Sequence, residues 1–395
     1  MSLTLLFDLD DTLLDTNLEA FVPAYFQALV RHMAGQVAEE VLLPALVNGL
    51  SRMSENANPT RTLQEIFEAE FYPKLGVAKE NISKVLEEFY DHVFPTLQGQ
   101  TRQRPAAVPL VEWALSCGFR VAIATDPFFP RKAIYHRIRW AGLDPEALEL
   151  VSTFEHFHFS KTHPAYYAEL LGRLGWPDGP VLMVGNNIQR DLLPAHRLGL
   201  KTYFIDGGSV PSPGFEAGRG KLEDLRLWLE SVTLTTLEPS FKSAESILGI
   251  MMSTPAVLRS LSSSLTEGDW RHEPTPDDWA VNEIVCHLRD TENEIHRLQL
   301  DLMLARSGAF IPRPDTSVWA NEREYLNVDG PAALADFASA RLVNLGKLKN
   351  SDREIWSRKA RHAIFGPTNF LEVTSFIADH DRMHIQQAWK TIQTL

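Results

Sequence analysis

Cysteine is almost absent: 395 residues contain only Cys117 and Cys286. Two cysteines, both read as lying in apolar surroundings, cannot build a disulfide framework. The chain must therefore be held by its core, and a reducing cytoplasm is the simpler expectation. Positive charge is also scarce, with 38 Lys+Arg against 51 Asp+Glu and a net charge of −13. Residues 241–395 hold 17 basic against 21 acidic residues, and the preceding 240 hold 21 against 30. Binding a phosphate backbone needs a basic surface, so nucleic acid is not an expected partner. Apolar runs of bilayer length are missing too. The N-terminus carries acids where a signal peptide carries basic residues, so neither membrane insertion nor export is expected. Internal repeats and low-complexity tracts are not found. The composition that remains, 44% hydrophobic and 23% charged, is that of a soluble globular chain long enough for two domains.

One stretch, FDLDDTLLD (7–15), asks for an explanation. The apolar run before it, LTLLF (3–7), reads as a parallel strand covered on both faces. Asp8, Asp10 and Asp11 follow directly, and three carboxylates repel one another. Local structure does not require them; a cation or a reaction does. Further strand-like runs are FRVAIAT (119–125), VLMVG (181–185) and KTYFI (201–205), with helical periodicity over 163–175 and 190–200. Strands alternating with helices predict a parallel sheet with right-handed crossovers. The hundred or so residues between the first two strands lack a strand pattern and carry amphipathic segments at 18–33 and 82–94, so they read as a helical insertion. A Gly/Pro/Ser loop (206–220) and a helix (221–231) follow. The chain is expected to divide into domains 1–232 and 243–395 around a linker at 233–242, within VTLTTLEPS and its flank. Beyond it, long helices at 241–264, 279–307, 331–349 and 369–393, with no convincing strand, predict an antiparallel four-helix bundle.

Aspartates at the carboxyl end of a strand sit where open α/β sheets place their ligands. If the chain leaves the strand at Asp10, one carboxylate attacks phosphorus while the other moves protons, with Mg²⁺ neutralising the site. The DxDxT of Asp8, Asp10 and Thr12 resembles the first motif of the haloacid-dehalogenase superfamily, and three further motifs follow in order. Thr125 in IATDP fits the second. Lys161 in FSKTHPAYY fits the third, with Thr162 where the family usually has proline. VGNNIQRDLLPAHRLGL fits the fourth, with Gly185, Asn186 and Asp191 in place of the usual GDxxxxD.

The resemblance covers about residues 1–230. It implies an α/β Rossmann-like parallel sheet with a helical C1-type cap at about 16–100. It further implies a phosphatase that hydrolyses a small phosphorylated metabolite through an aspartyl-phosphate at Asp8. Asp10 is then the acid/base, Thr125 and Lys161 hold the phosphoryl group, and Mg²⁺ lies among Asp8, the Asp10 carbonyl, Asn186 and Asp191. Asn186 replaces an acid, which removes one negative charge and should weaken the metal site. An acid at Asp10 favours a phosphatase, since the family's dehalogenases lack it.

The last helix carries IADHDRMHIQQ (377–387), and His380 and His384 lie one turn apart on one face. Upstream, Trp279, Glu283 and His287 share a face, so packing the second helix on the fourth completes a three-histidine site with open positions. Cys286 points about 100° away from His287 and is not counted as a ligand. Glu283 is left open as an acceptor for an imidazole N–H, a general base or a surface acid. His272, His296 and His362 read as surface or loop residues.

The Trp–Glu–His spacing and HDxxHxxQ resemble the DinB/YfiT-like four-helix bundles, over about residues 243–393. The likeness implies a metal triad of His287, His380 and His384 holding Zn²⁺, Ni²⁺ or Fe²⁺. The family includes metal-dependent thiol transferases and isomerases, so the alternative main activity is a thiol-dependent transferase or isomerase with a low-molecular-weight thiol as partner, the first domain then being degenerate. A non-catalytic assembly role is a further alternative, and a homodimer is left open.

Overall fold

Runs of two to five residues, most of them apolar, form one sheet in the computed structural model, which describes residues 2–206 and 211–395. Its strands are β1 (Thr4–Phe7), β2 (Arg120–Ile123), β3 (Leu150–Val151), β4 (Val181–Gly185), β5 (Lys201–Ile205) and β6 (Gly218–Gly220). They lie in the order β3-β2-β1-β4-β5-β6, and every pair is parallel. β1 is wholly buried because strands flank it on both sides, with Phe7 opposite Ile123 and Val184. Sequence reading missed β3 and β6: one is two residues long and the other reads GRG, so neither makes an apolar run. Of the loop expected at 206–220, residues 207–210 lie outside the described residues, and 218–220 is strand rather than loop.

Helices α1 (Leu18–Met33), α2 (Glu39–Ser54), α3 (Leu63–Leu75) and α4 (Lys79–Glu88) build the insertion. A π turn, Phe89–Val93, and a 3₁₀ segment, Phe94–Gln100, complete it. A capping box starts α3: the Thr62 hydroxyl accepts the Glu65 N–H at 3.2 Å and the Glu65 carboxylate accepts the Thr62 N–H at 2.8 Å. A small antiparallel ribbon, Leu14–Asp15 with Arg102–Gln103, ties the start of the insertion to its end. Phe21, Phe71, Phe89 and Phe94 of the insertion belong to the same buried apolar cluster as Leu5, Phe7 and Ile123 of the sheet. The insertion therefore shares its core with the sheet. Helices α5 (Ala107–Ser116), α6 (Arg131–Trp140), α7 (Pro164–Arg173) and α8 (Leu193–Leu198) fill the later crossovers.

Contacts divide the chain into two units, Met1–Tyr166 with Pro177–Pro239, and Tyr167–Trp176 with Ser240–Leu395. The short stretch Tyr167–Trp176 groups with the second unit, where Trp176 lies edge-on to Phe241 with ring centroids 5.3 Å apart. The expected linker is not featureless: Leu234–Leu237 forms a 3₁₀ turn, and Leu237 is buried in the core of the first unit.

Four long helices make the second unit: Ala244–Ser262, Val281–Ala305, Gly330–Lys349 and Phe370–Ile392. The second is interrupted by a π turn at Glu292–His296. The first and second helices each pack on the third and fourth. The first and second helices thus stand diagonally, as do the third and fourth, and only the second and third are neighbours in both sequence and space, unlike the simple neighbour-to-neighbour bundle that four helical runs suggest. The unit also contains a three-stranded sheet of Ala309–Ile311, Lys359–His362 and Gly366–Asn369, contrary to the strand-free expectation. Strands of three or four residues are too short for their alternation to register. His362 sits buried on the middle strand rather than on the surface. Cys117 is exposed, while Cys286 is buried.

Candidate active site and candidate metal centre

The sheet positions the first site. β1 ends at Phe7, but the Asp8 N–H still reaches the Val184 carbonyl at 2.9 Å, so Asp8 remains in register at the strand's carboxyl end. This is where the strand order reverses, the usual ligand position of such sheets. The chain then turns sharply: the Leu13 and Leu14 N–H groups close on the Leu9 carbonyl at 3.0 and 2.9 Å, and Asp11 is left-handed with φ 56°. Aspartate tolerates that conformation better than most residues.

Lys161 lies between Asp8 and Asp191, with its ammonium 2.6 Å from Asp8 Oδ1 and 2.5 Å from Asp191 Oδ1. All three are buried. Asp191 is further fixed by the Asn187 N–H at 2.8 Å, and it lies so close beneath Gly185 that a Cβ there would overlap it. Burial and the neighbouring Asp191 push the Asp8 carboxyl up to about 6, against the lowering by Lys161 and Thr12. Two buried carboxylates thus share one ammonium. The Asn186 amide oxygen stands nearby, accepting the Thr12 hydroxyl at 3.3 Å. This set of carboxylate and amide oxygens fits a hard divalent cation.

Thr125 ends β2. Its carbonyl accepts the Tyr166 hydroxyl at 2.8 Å and the Ser152 hydroxyl at 2.7 Å, which pins the turn. The structure thus brings Asp8, Lys161, Asp191 and Asn186 together, with Thr125 at the neighbouring strand end. The Asp10 side chain is engaged elsewhere. It forms an ion pair with the buried Arg137 of α6 and accepts the Thr16 hydroxyl at 2.6 Å. Sequence reading passed over Arg137, although an arginine aligned with Ile134, Ile138 and Ala141 on an apolar helix face was a usable signal. It also passed over Asp126, which accepts the Lys161 N–H at 3.3 Å and pairs with Arg190 at 2.5 Å.

The second site lies between the second and fourth bundle helices. His287 Nε2 is 3.0 Å from His380 Nε2, and one ring nitrogen from each of His287, His380 and His384 lies within 4.8 Å of the others. The Gln387 side-chain oxygen, which can only accept, is 3.0 Å from His384 Nδ1, so that nitrogen carries the proton and Nε2 keeps its lone pair. Burial and neighbouring histidines hold all three imidazoles below the ordinary range, His287 down to about 3. Three imidazoles whose ring nitrogens gather within 4.8 Å of one another, in a buried setting that favours the neutral ring, fit a transition metal. Trp279 stacks parallel to His384 with centroids 5.8 Å apart. Glu283 is buried rather than a surface acid. Its carboxylate accepts the Ala280 N–H at 2.9 Å and caps the second helix.

His296, expected at the surface, is buried edge-on to His380 with centroids 5.4 Å apart, and its Nδ1 is 3.1 Å from Glu292. The π turn carries both residues inward. They join a buried network on all four helices. Arg341 contacts Glu292 at 2.9 Å and Asp381 at 2.9 Å and donates to the Met251 carbonyl at 2.9 Å. Thr254 donates to Asp381 at 2.8 Å, and Asn344 donates to Glu292 at 2.7 Å. Asp381 therefore sits in the HDxxH stretch as an anchor between its two histidines.

Residues 3–199 match the family model described as haloacid dehalogenase-like hydrolase, and residues 252–388 match the DinB superfamily. Among curated proteins, pyrophosphatase PpaX of Bacillus cereus (strain AH820) is 25% identical over 202 residues, covering 51% of this chain and 82% of that protein. PpaX of Bacillus cereus (strain B4264) is 27% identical over 206 residues, with 51% and 82% covered. Among solved structures, a HAD phosphatase from Thermococcus onnurineus is 19% identical, with TM-score 0.39, covering 58% of this chain and 98% of that one. YfiT from Bacillus subtilis, a four-helix bundle, is 17% identical, with TM-score 0.35, covering 40% and 89%.

Proposed function

We propose a function for a chain whose residues 3–199 belong to the haloacid dehalogenase-like hydrolases and whose residues 252–388 belong to the DinB superfamily. The first domain is a hydrolase acting on phosphate esters. The finer reading is hydrolysis of a small phosphomonoester through an aspartyl-phosphate at Asp8. The observation that carries it is Lys161 clamping one oxygen of Asp8 at the end of β1, which leaves the other oxygen to attack phosphorus. Lys161 also neutralises charge as the phosphoryl group arrives. Asp10, positioned by Arg137 and Thr16, gives a proton to the leaving oxygen and then takes one from the water that cleaves the acyl phosphate. Asp8, the Asp10 main-chain carbonyl and Asn186 would hold Mg²⁺, with Asp191 behind them. The ion supplies charge neutralisation and polarises the phosphoryl oxygens. Phosphate release from a panel of phosphorylated compounds, with and without Mg²⁺, tests the reading.

Asn186→Asp restores an acid to the oxygen set and should lower the Mg²⁺ concentration for half-maximal activity, roughly tenfold for one added charge–charge contact. The measurement is a Mg²⁺ titration of both proteins at one saturating substrate concentration. An unchanged or higher requirement would mean that the side chain does not reach the ion.

In the second domain, His287, His380 and His384 would hold one Zn²⁺, Ni²⁺ or Fe²⁺ ion, for which imidazole is a better ligand than for Mg²⁺. Elemental analysis of tag-free protein should find close to one such metal per chain, and His384→Ala should lose it. Because the ligands join two helices, the metal should also raise the unfolding temperature, and a chelator should reverse that gain. Equal metal content in wild type and His384→Ala would contradict the assignment.

A further inference from the structure

A cavity of about 570 Å³ lies within the first unit between the helical insertion and the loop that follows β2. Asp10, Asp126, Arg137 and Arg190 belong to its wall, so it opens onto the surroundings of Asp8. The rest of its wall is chiefly apolar, with aliphatic side chains such as Leu46 and Leu50 among aromatic rings. Tyr25 and Phe26 come from α1, Phe67 and Phe71 from α3, and Phe128 and Phe129 from the loop after β2.

Most charges along this wall are answered inside the protein. Glu68 pairs with Lys79, Lys132 with Asp91 at 2.8 Å, Asp126 with Arg190, and Asp10 with Arg137. One Glu155 oxygen accepts the Arg131 N–H at 2.7 Å. Apolar side chains, aromatic and aliphatic, are therefore the main surface left to recognise a ligand. The volume falls within the roughly 300–1,000 Å³ of sites for ligands of drug size. Pyrophosphate or inorganic phosphate would leave most of it as water against apolar side chains, and a sugar would set most of its hydroxyls against side chains that cannot pair with them.

We infer that the substrate, granted the phosphatase reading above, is a phosphomonoester of a bulky apolar hydroxyl compound whose hydrocarbon part fills this cavity. The ester P–O bond breaks as the Asp8 O–P bond forms, the proton from Asp10 goes to the departing oxygen, and water then returns phosphate and free Asp8. Ring faces suit an aromatic leaving group by offset or edge-on contact, and they suit an alkyl chain by burial alone.

The test is kcat/KM for the full chain on n-alkyl phosphates from ethyl to octyl, 1-naphthyl phosphate, pyrophosphate and glucose 6-phosphate. The value should climb roughly fourfold per added methylene until the cavity is full. Naphthyl phosphate should exceed pyrophosphate and the sugar phosphate by on the order of a hundredfold. Ser83→Trp, on α4 and outside the catalytic groups, puts an indole into the cavity. It should cut octyl and naphthyl phosphate turnover about tenfold while sparing ethyl phosphate.

A flat alkyl series, or preference for pyrophosphate, with hydrolysis intact would overturn the substrate class and leave the phosphatase reading standing; this outcome needs no variant. Release of phosphate from none of the esters, while 1-naphthol still binds saturably by its own fluorescence, would overturn the phosphatase reading and the substrate class with it. Absence of both hydrolysis and naphthol binding would remove the cavity's role as well.

Discussion

Asp8→Asn should reduce phosphate release to background, a loss on the order of a thousandfold or more, because the amide keeps the shape but cannot attack phosphorus. The same change should not cost stability. Lys161 keeps Asp191 as its partner at 2.5 Å, so its ammonium is not left unpaired in a buried site. The repulsion between Asp8 and Asp191, which helps raise the Asp8 carboxyl to about 6, disappears with the charge. The expected pair of results is lost turnover with an unfolding temperature equal to or above wild type. A merely structural role for Asp8 would move both readouts together. Wild-type turnover in Asp8→Asn would end the covalent mechanism.

The second large effect belongs to Arg341. It is wholly buried and holds the carboxylates of Glu292 and Asp381 on two other helices. Replacing it with methionine keeps much of the packing but strands two buried charges. Removing one partner of a buried pair typically costs about 3–5 kcal/mol, enough to halve the stability of an ordinary domain. Denaturant unfolding should show that loss in Arg341→Met, while Arg341→Lys should recover only part of it, since an ammonium cannot fork between two carboxylates. A change below about 1 kcal/mol would show that water or rearrangement already satisfies the network.

The network also carries a pH dependence. Burial pushes the Glu292 carboxyl up, but the charge of Arg341 and the hydrogen bonds from His296 and Arg341 outweigh it and hold the group well below 4.5. A carboxyl depressed on folding stabilises the protein above its unfolded value, and that contribution fades as pH falls toward the folded value. Wild type should therefore lose this term only in strong acid, and Arg341→Met should lack it already at neutral pH.

Much of the first site was legible because its residues sit just after apolar strands, and a run such as VLMVG marks where such a strand ends. The order of Asp8, Thr125, Lys161 and the Asn186–Asp191 pair along the chain carried over into space because parallel strands bring their carboxyl ends to one edge. The HxxxH pair was equally direct, since spacing by four on a helix fixes one face. Partners that come from another element were not legible. Arg137 meets Asp10 only after α6 packs against the turn, and nothing local ties the two. Glu292, Arg341 and Asp381 look like ordinary helix charges until three helices bring them together. The π turn that buries His296 leaves no mark on a 3.6-residue pattern, which is why that residue was read as exposed. The diagonal bundle was hidden for a related reason, as helix periodicity records which face is apolar and not which neighbour it meets.

The central claim is that Asp8 carries the phosphoryl group during turnover. Mass spectrometry of protein acid-quenched during steady-state hydrolysis, followed by digestion, tests it most directly. The account predicts a phosphoryl increment on the peptide containing Asp8. With 1-naphthyl phosphate, whose leaving group depends little on a general acid, the increment should be present in wild type, increased in Asp10→Asn because the acyl phosphate loses its general base, and absent from Asp8→Asn. Hydrolysis that proceeds with no phosphoryl adduct in Asp10→Asn, or an adduct on another residue that survives Asp8→Asn, would contradict it.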